Sequence, residues 1–83
     1  MLINEHVTFG RVADETMIIN SENNVAIKLD RQGTEIFELI YDGYSKEEII
    51  NHFQRMYPSA GIHIEADVNN FINTKKKKKI IRQ

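Results

Sequence analysis

A strand that runs into a helix through a single aspartate is the feature that most restricts how this chain can fold. Residues Asn24 to Gly43 read NVAIKLDRQGTEIFELIYDG. Apolar side chains alternate along Val25–Leu29, as in a half-buried β-strand. Asp30 can cap a helix because its carboxylate accepts N–H groups of the first turn, and Gly43 suits the left-handed position after the last turn. The segment therefore predicts an edge strand beside a helical body, a surface suited to binding another chain.

Two further strands are predicted upstream of this segment. Val7–Val12 and the short apolar run Met17–Ile19 have strand character, and Gly10 indicates a bulge or a close backbone approach within the first of them. The polar run Ser21–Asn24 is typical of a turn. Short connections favour an antiparallel meander of three strands.

Three helices are predicted downstream. Ser45 and Glu48 form a capping box at the start of the second helix, and Pro58 ends it. The third begins between Ser59 and Ile64. Apolar side chains line one face of each helix. These are Ile36, Phe37, Leu39, Ile40 and Tyr41 in the first, Ile49, Ile50, Phe53, Met56 and Tyr57 in the second, and Ile64, Val68, Phe71 and Ile72 in the third. Three strands followed by three helices predict an α+β fold.

Length and composition indicate one small cytoplasmic domain over residues 1–83. There is no cysteine for a disulfide or a thiolate metal site, and no apolar run long enough to span a membrane. The N-terminal residues do not have the pattern of a signal peptide.

Charge is distributed unevenly along the chain. Residues 1–74 carry five basic and twelve acidic side chains, a net charge of −7, whereas residues 75–83 carry six basic ones. The acidic body argues against general affinity for nucleic acid, for which only the tail argues. The lysine run 75–79 fits a solvated helix end, a contact with an acidic peptide or partner enzyme, or a contact with nucleic acid. Ile80 and Ile81 either fold back onto the body or contact another copy.

No catalytic or metal-binding motif is evident. The histidines are scattered at positions 6, 52 and 63, and His63 and Glu65 have the spacing of a deaminase zinc signature but lack its cysteines. No nucleophile triad, paired carboxylates or glycine-rich phosphate loop is present. The sequence predicts neither an enzyme nor a bound cofactor or metal.

Residues 6–81 resemble the PqqD-like proteins, also called RiPP recognition elements. The resemblance rests on the order and spacing of short matches, since no single motif is specific. The matches are His6-Val7-Thr8-Phe9, Arg11-Val12, Met17-Ile18-Ile19, Leu29-Asp30, Ile36-Phe37-Glu38-Leu39, Asp42-Gly43, Glu48-Ile49-Ile50, Tyr57, Asp67-Val68 and Phe71-Ile72.

The resemblance implies a winged helix-turn-helix fold and a non-catalytic role. Members bind the leader segment of a ribosomally made precursor peptide and present it to a modifying enzyme, such as a radical SAM protein or the protease and cyclase of a lasso peptide pathway. The leader adds as a fourth strand beside the third strand and lies against the third helix. By position, the peptide-binding residues would be Val25, Ala26, Ile27, Lys28, Leu29, Asp30, Asp67, Val68, Phe71, Ile72 and Lys75.

Within this predicted site, the side chains of the third strand are expected to fill the core, while its backbone and Lys28 meet the peptide. The division of the third helix between core and groove stays open. The chain departs from the family at Lys75, where a leucine is usual, and at Lys79, where glycine is usual.

Two rival functions are considered. A DNA-binding winged helix would place Glu65 and Asp67 at the start of its recognition helix, where they would repel phosphate. A homodimer could form by edge pairing or strand swapping, with peptide binding lost.

Overall fold

Three antiparallel strands followed by three helices form the body of the molecule, which confirms the predicted α+β fold. The computed structural model describes residues 1–82, except for the side chains of residues 60–62. Its elements are β1 (Leu2–Ile3), β2 (Val7–Val12), β3 (Glu15–Asn20), β4 (Val25–Leu29), α1 (Arg31–Tyr41), α2 (Lys46–Met56), a 3₁₀ turn (Pro58–Ala60), α3 (Gly61–Lys77) and β5 (Ile81–Arg82). The predicted third strand is therefore β4.

The main sheet has the order β2-β3-β4, with β3 in the centre. Thr16, Ile18 and Asn20 of β3 are buried, whereas Met17 and Ile19 point to the solvent-facing side. The strand extends beyond the predicted Met17–Ile19 because its polar ends also pair, from Thr16 opposite Leu29 to Asn20 opposite Val25. Because Thr16 and Asn20 on the buried face are polar, the sequence shows no apolar alternation over the full length of β3.

Gly10 does not have the role that the sequence suggested. It lies opposite Met17 in an uninterrupted β2–β3 register, so the strand has no bulge there. A Cβ atom added at this position would have no heavy atom within 4 Å, so no close approach requires glycine. Both interpretations of Gly10 are wrong.

The predicted helix ends are confirmed. The Asp30 side chain accepts a hydrogen bond of 2.8 Å from the Gly33 N–H at the start of α1. Gly43 follows α1 with φ +95°, a left-handed conformation. Ser45 and Glu48 form the reciprocal capping box of α2, with hydrogen bonds of 3.1 and 2.8 Å.

The buried core lies between the sheet and the three helices. It contains Ile18, Leu29, Ile36, Phe37, Ile40, Ile49, Phe53, Ile64, Val68, Phe71, Ile72, Ile80 and Ile81. Three residues of the predicted apolar stripes are exposed, namely Tyr41, Met56 and Tyr57. Tyr41 and Met56 are the last residues of α1 and α2, and Tyr57 is the C-cap of α2.

The chain folds back after α3. Lys79 adopts φ +59°, and the N–H groups of Lys79 and Ile80 donate to the carbonyls of Lys76 and Lys75, at 3.0 and 2.9 Å. This is the Schellman arrangement, with lysine in the position that glycine usually occupies. Ile80 is then fully buried and Ile81 pairs with Ile3 of β1. Docking onto the body, one of the two roles considered for these isoleucines, is the one observed.

Three asparagine side chains hold the end of α3 against the strands. Asn4 and Asn20 donate to the Lys79 carbonyl at 2.8 and 3.0 Å, and Asn23 donates to the Lys78 carbonyl at 3.1 Å. Asn4 and Asn20 are buried. These amides satisfy the carbonyls that a helix leaves free at its C-terminus.

Candidate functional site

A groove of about 330 Å³ lies where the end of β4, the start of α1 and one face of α3 meet. Strand and helix side chains both line it. The lining residues are Lys28, Leu29, Asp30, Gln32, Gly33, Ile36, Asp67, Asn70, Phe71, Thr74 and Lys75. The groove lies between β4 and α3, the strand and helix that the family resemblance implies for the peptide.

The groove lies beside a free sheet edge. β4 pairs with β3 on one side, and within residues 1–82 no strand pairs with its other side. Every second residue of an edge strand directs its backbone N–H and C=O groups outward, where an extended peptide can pair with them. The opposite edge, on β2, is also free over the same residues.

α3 runs antiparallel to β4 along this groove. Asn23, just before β4, donates to the Lys78 carbonyl near the end of α3. Gln32, just after β4, donates to the Asp67 carboxylate in the first half of α3, at 3.5 Å. A peptide paired with β4 would therefore meet α3 residues in order, from Asp67 at one end to Lys75 at the other.

Gly33 permits the close packing at the base of the groove. A Cβ atom added there would lie 3.2 Å from Asp30 Oδ1 and 3.4 Å from Phe71 Cε2. The added atom would be tight against the Asp30 carboxylate that caps the helix and in ordinary van der Waals contact with the Phe71 ring. Phe71 is 8% exposed, so it belongs to the core and also contributes a wall to the groove.

Lys75 covers the Phe71 ring. Its Nζ lies 4.5 Å from the ring centroid, in cation–π geometry, and donates to Thr74 Oγ1 at 3.3 Å. The side chain is half-buried. Burial, with a contribution from the Lys78 charge, lowers the pKa of Lys75 from its usual 10.5, and Asp30 partly opposes this. The helix continues past Lys75 to Lys77, so the lysine at this family leucine position does not end it.

Lys28 is already paired within the protein. Its Nζ lies 3.1 Å from Glu15 Oε1, and both side chains are about half exposed, at 60% and 47%. An acidic peptide residue would have to compete with Glu15 for Lys28, although an exposed pair of this kind is weak.

The structure brings together six of the predicted site residues and separates the others. Lys28, Leu29, Asp30, Asp67, Phe71 and Lys75 line the groove. Val25, Ala26 and Ile27 lie on β4 outside that lining, and only a peptide extending along the edge would reach their backbone. Val68 and Ile72 are 0% and 5% exposed and pack in the core, so their side chains offer almost no surface to a ligand.

Sequence reasoning missed the polar residues of the groove. Asn70 and Thr74 lie three and seven positions after Asp67, on the same face of α3 as Phe71. This helical spacing is the signal in the sequence that marks them. Gln32 and Gly33, in the first turn of α1, gave no comparable signal.

Neither a metal site nor a membrane-spanning helix is found in the part of the chain that the structure describes. No group of three or more histidine, cysteine, aspartate or glutamate residues is arranged to hold a metal ion there. No helix among these residues is both long and apolar enough to cross a membrane.

Comparisons with known proteins agree with the fold and with the resemblance seen in the sequence. The family model described as coenzyme PQQ synthesis protein D (PqqD) matches residues 15–81. The solved structure of TbiB1 in complex with the TbiA(beta) leader peptide superimposes with a TM-score of 0.89 at 24% sequence identity, covering 96% of this chain and 93% of that one. No curated protein matches the chain. The fold is thus shared with a protein whose structure was solved with a leader peptide.

Proposed function

The chain belongs to the PqqD family, and from this premise we propose that it binds the leader segment of a ribosomally synthesised precursor peptide. The observation that carries the proposal is the groove between the free edge of β4 and the wall of α3. The shared fold of TbiB1 supports it. The peptide is proposed to add as a fourth strand next to β4.

Strand addition explains why both sides of the groove are needed. Four backbone hydrogen bonds to β4 contribute about 0.5–1.5 kcal/mol each, and two buried apolar anchors about 1.5–3 kcal/mol each. Association and the ordering of a flexible peptide remove much of this gain. Backbone pairing alone would leave very weak binding. Side-chain contacts with Phe71 and its neighbours on α3 must therefore supply affinity and sequence preference.

The proposed role is presentation rather than catalysis. A leader held on β4 leaves the following core of the precursor free to enter a modifying enzyme. That enzyme is proposed to be a radical SAM protein or the protease and cyclase of a lasso peptide pathway, as in relatives of this family. The genes beside this one are the direct test, because a short precursor gene next to either kind of enzyme would identify the class.

Peptide titration tests the groove. The probe is a synthetic peptide covering the leader of the short precursor encoded beside the gene. Asn70→Arg would place a bulky side chain in the groove from an exposed position, whereas Asn73→Arg makes the same change at an exposed α3 residue outside the lining. We expect Asn70→Arg to abolish binding and Asn73→Arg to preserve it. No binding to the wild type at high micromolar peptide, or equal binding to both variants, would contradict the proposal.

Amide exchange tests the strand itself. We expect bound peptide to slow exchange at alternate residues of β4, either Val25, Ile27 and Leu29 or Ala26 and Lys28, because only one set faces the free edge. N-methylation of alternate peptide residues should weaken binding when it falls on the residues whose N–H groups face β4. The same change on the residues between them should have little effect. Slowed amide exchange on β2 instead of β4 would show that the peptide binds at the opposite edge of the sheet.

Salt dependence separates this function from DNA binding. Duplex DNA held by phosphate contacts loses affinity with a log–log slope of about −0.9 per neutralised phosphate, whereas a peptide bound through backbone and apolar contacts depends little on salt. Glu65 and Asp67 are exposed on α3, where they would oppose phosphate. We expect weak duplex binding that disappears with added salt.

A further inference from the structure

Lys75 holds a positive charge in the groove without a carboxylate partner. The side chain is half-buried, and its contacts are the Phe71 ring and the Thr74 hydroxyl. Among residues 1–82, the carboxylates that form ion pairs pair with other groups, namely His6, Arg11, Lys28, His52 and Arg82. The charge of Lys75 is thus partly removed from water with only weak compensation.

Neither acid of the groove lining forms an ion pair with Lys75. Asp30 Oδ1 accepts the Gly33 N–H as the cap of α1, so the Asp30 charge compensates Lys75 only in part, and Asp67 accepts the amide of Gln32. Lys28, the other cation of the groove, pairs with Glu15. Lys75 is therefore the cation in the lining that is left to interact with an incoming group.

A bound peptide would remove more water from Lys75. A buried ammonium without a counter-charge is costly, and a carboxylate at close range offsets much of that cost. A peptide that covers Phe71 with a purely apolar side chain would have to displace the ammonium from the ring, and one carrying a carboxylate would pair with it.

We propose that Lys75 is a specificity-determining residue that selects leader segments with an aspartate or glutamate placed over Phe71. This rests on the proposed function and assigns the chemistry of one peptide position.

The opposite end of the groove sharpens the expected peptide pattern. Asp67 lies eight residues before Lys75, about 12 Å along the helix. An extended peptide covers that distance in about three to four residues. A second peptide position should face Asp67, and acids should be disfavoured there. This position and the acidic position over Phe71 should be separated by about three to four residues.

Selection from a peptide library tests the assignment. The probe is a displayed library of random linear peptides of about 15 residues, long enough for one added strand with flanks. It is selected on the immobilised full chain as wild type, Lys75→Glu and Lys77→Glu. Lys77 is exposed and outside the groove lining, so its substitution makes the same charge change as a matched control.

We expect wild type and Lys77→Glu to enrich an acid at one fixed position, and Lys75→Glu to enrich lysine or arginine there. An individual acidic peptide should lose affinity by about tenfold on Lys75→Glu and by less than about twofold on Lys77→Glu. Exchanging its acid for lysine should restore binding to Lys75→Glu. Lys75→Met, which keeps an apolar contact with Phe71, should bind without preference at that position.

The outcomes separate the two proposals. The role of Lys75 would be overturned, and peptide binding left intact, by selected peptides that Asn70→Arg blocks but that show no acidic position. Peptides that respond equally to Lys75→Glu and Lys77→Glu would have the same meaning. Failure to select any peptide that Asn70→Arg blocks would overturn the proposed function and the role of Lys75 with it.

Discussion

The side-chain amide of Asn20, the last residue of the central strand, donates to the backbone carbonyl of Lys79 at 3.0 Å and so joins β3 to the end of α3. Asn20 is fully buried, and its Oδ1 atom accepts the Glu22 N–H at 2.9 Å. One side chain thus fixes the β3–β4 turn and the end of the helix that walls the groove. Together with Asn4 and Asn23, Asn20 holds the end of α3 against the strands and so helps to set how α3 lies along β4.

Replacing Asn20 by aspartate should destabilise the fold strongly. Asn20→Asp keeps the size and the acceptor for Glu22 but turns a carboxylate oxygen toward the carbonyls of Lys78 and Lys79. We expect a loss of about 2–4 kcal/mol in the free energy of unfolding at neutral pH, since a buried charge would face acceptors. The loss should shrink in acid, where the protonated carboxyl can donate again. Urea denaturation measures both.

Asn23→Asp is the control for this prediction. Asn23 also donates to the Lys78 carbonyl, at 3.1 Å, but it is exposed to solvent. Its substitution should cost less than about 1 kcal/mol, because water can solvate the new charge. Equal losses at both positions would show that burial of Asn20 is not the source of its contribution.

Lys79→Gly should stabilise the protein. Lys79 has φ +59°, a conformation that costs a residue with a Cβ atom about 1–2 kcal/mol and that glycine adopts freely. Part of this gain is offset by the greater entropy of glycine in the unfolded chain, which leaves an expected increase of about 0.5–1 kcal/mol. Thermal and urea unfolding measure it. Lys78→Gly, one residue earlier and without positive φ, should instead lower stability; a gain there would refute the explanation.

The difference in stability between Lys75→Met and wild type should change with pH in the alkaline range. Burial lowers the pKa of Lys75 below 10.5, so the charged form is disfavoured in the folded state and the variant should be the more stable protein near neutral pH. Between the lowered pKa and 10.5, the unfolded chain binds more protons than the folded one, so wild-type stability rises with pH. The stability advantage of Lys75→Met over wild type should therefore narrow between the lowered pKa and 10.5. A matching change in Lys77→Met, whose lysine is exposed, would contradict the assignment.

Tyr57 should ionise at higher pH than an isolated tyrosine. Its hydroxyl donates to Glu35 Oε1 at 2.9 Å, and this bond together with the carboxylate charge raises the pKa of Tyr57 above 10.0. The stabilising hydrogen bond is present below that pH and is lost as pH rises through the raised pKa. Glu35→Gln should shift the ionisation back toward 10.0. Absorbance titration measures the shift, with Tyr57→Phe as the baseline for the other two tyrosines; an unchanged midpoint would refute the contact.

Local patterns in the sequence predicted each long element of the fold. Asp30, Ser45 with Glu48, and Gly43 mark helix ends through contacts within a few residues, so the sequence carries them directly. The two-residue strands β1 and β5 were missed because such short elements have no periodicity and pair only across the whole chain, Leu2 with Arg82. The role of Asn20 was missed for a related reason. Its amide donates to the carbonyls of Lys78 and Lys79, which lie 58 and 59 residues away in the sequence.

The sequence by itself determined three strands, three helices, their capping and the family resemblance, because these depend on spacing and on contacts between near neighbours. Only the tertiary structure decided which face of α3 is core and which is groove. Val68 and Ile72 are turned inward, while Phe71 is shared between the two and Lys75 covers its ring. An apolar stripe on a helix specifies that a face is buried, but the neighbouring strand and helix determine where that burial ends. The same packing pairs Lys28 with Glu15 and places Lys75 over the Phe71 ring, without an ion-pair partner among residues 1–82.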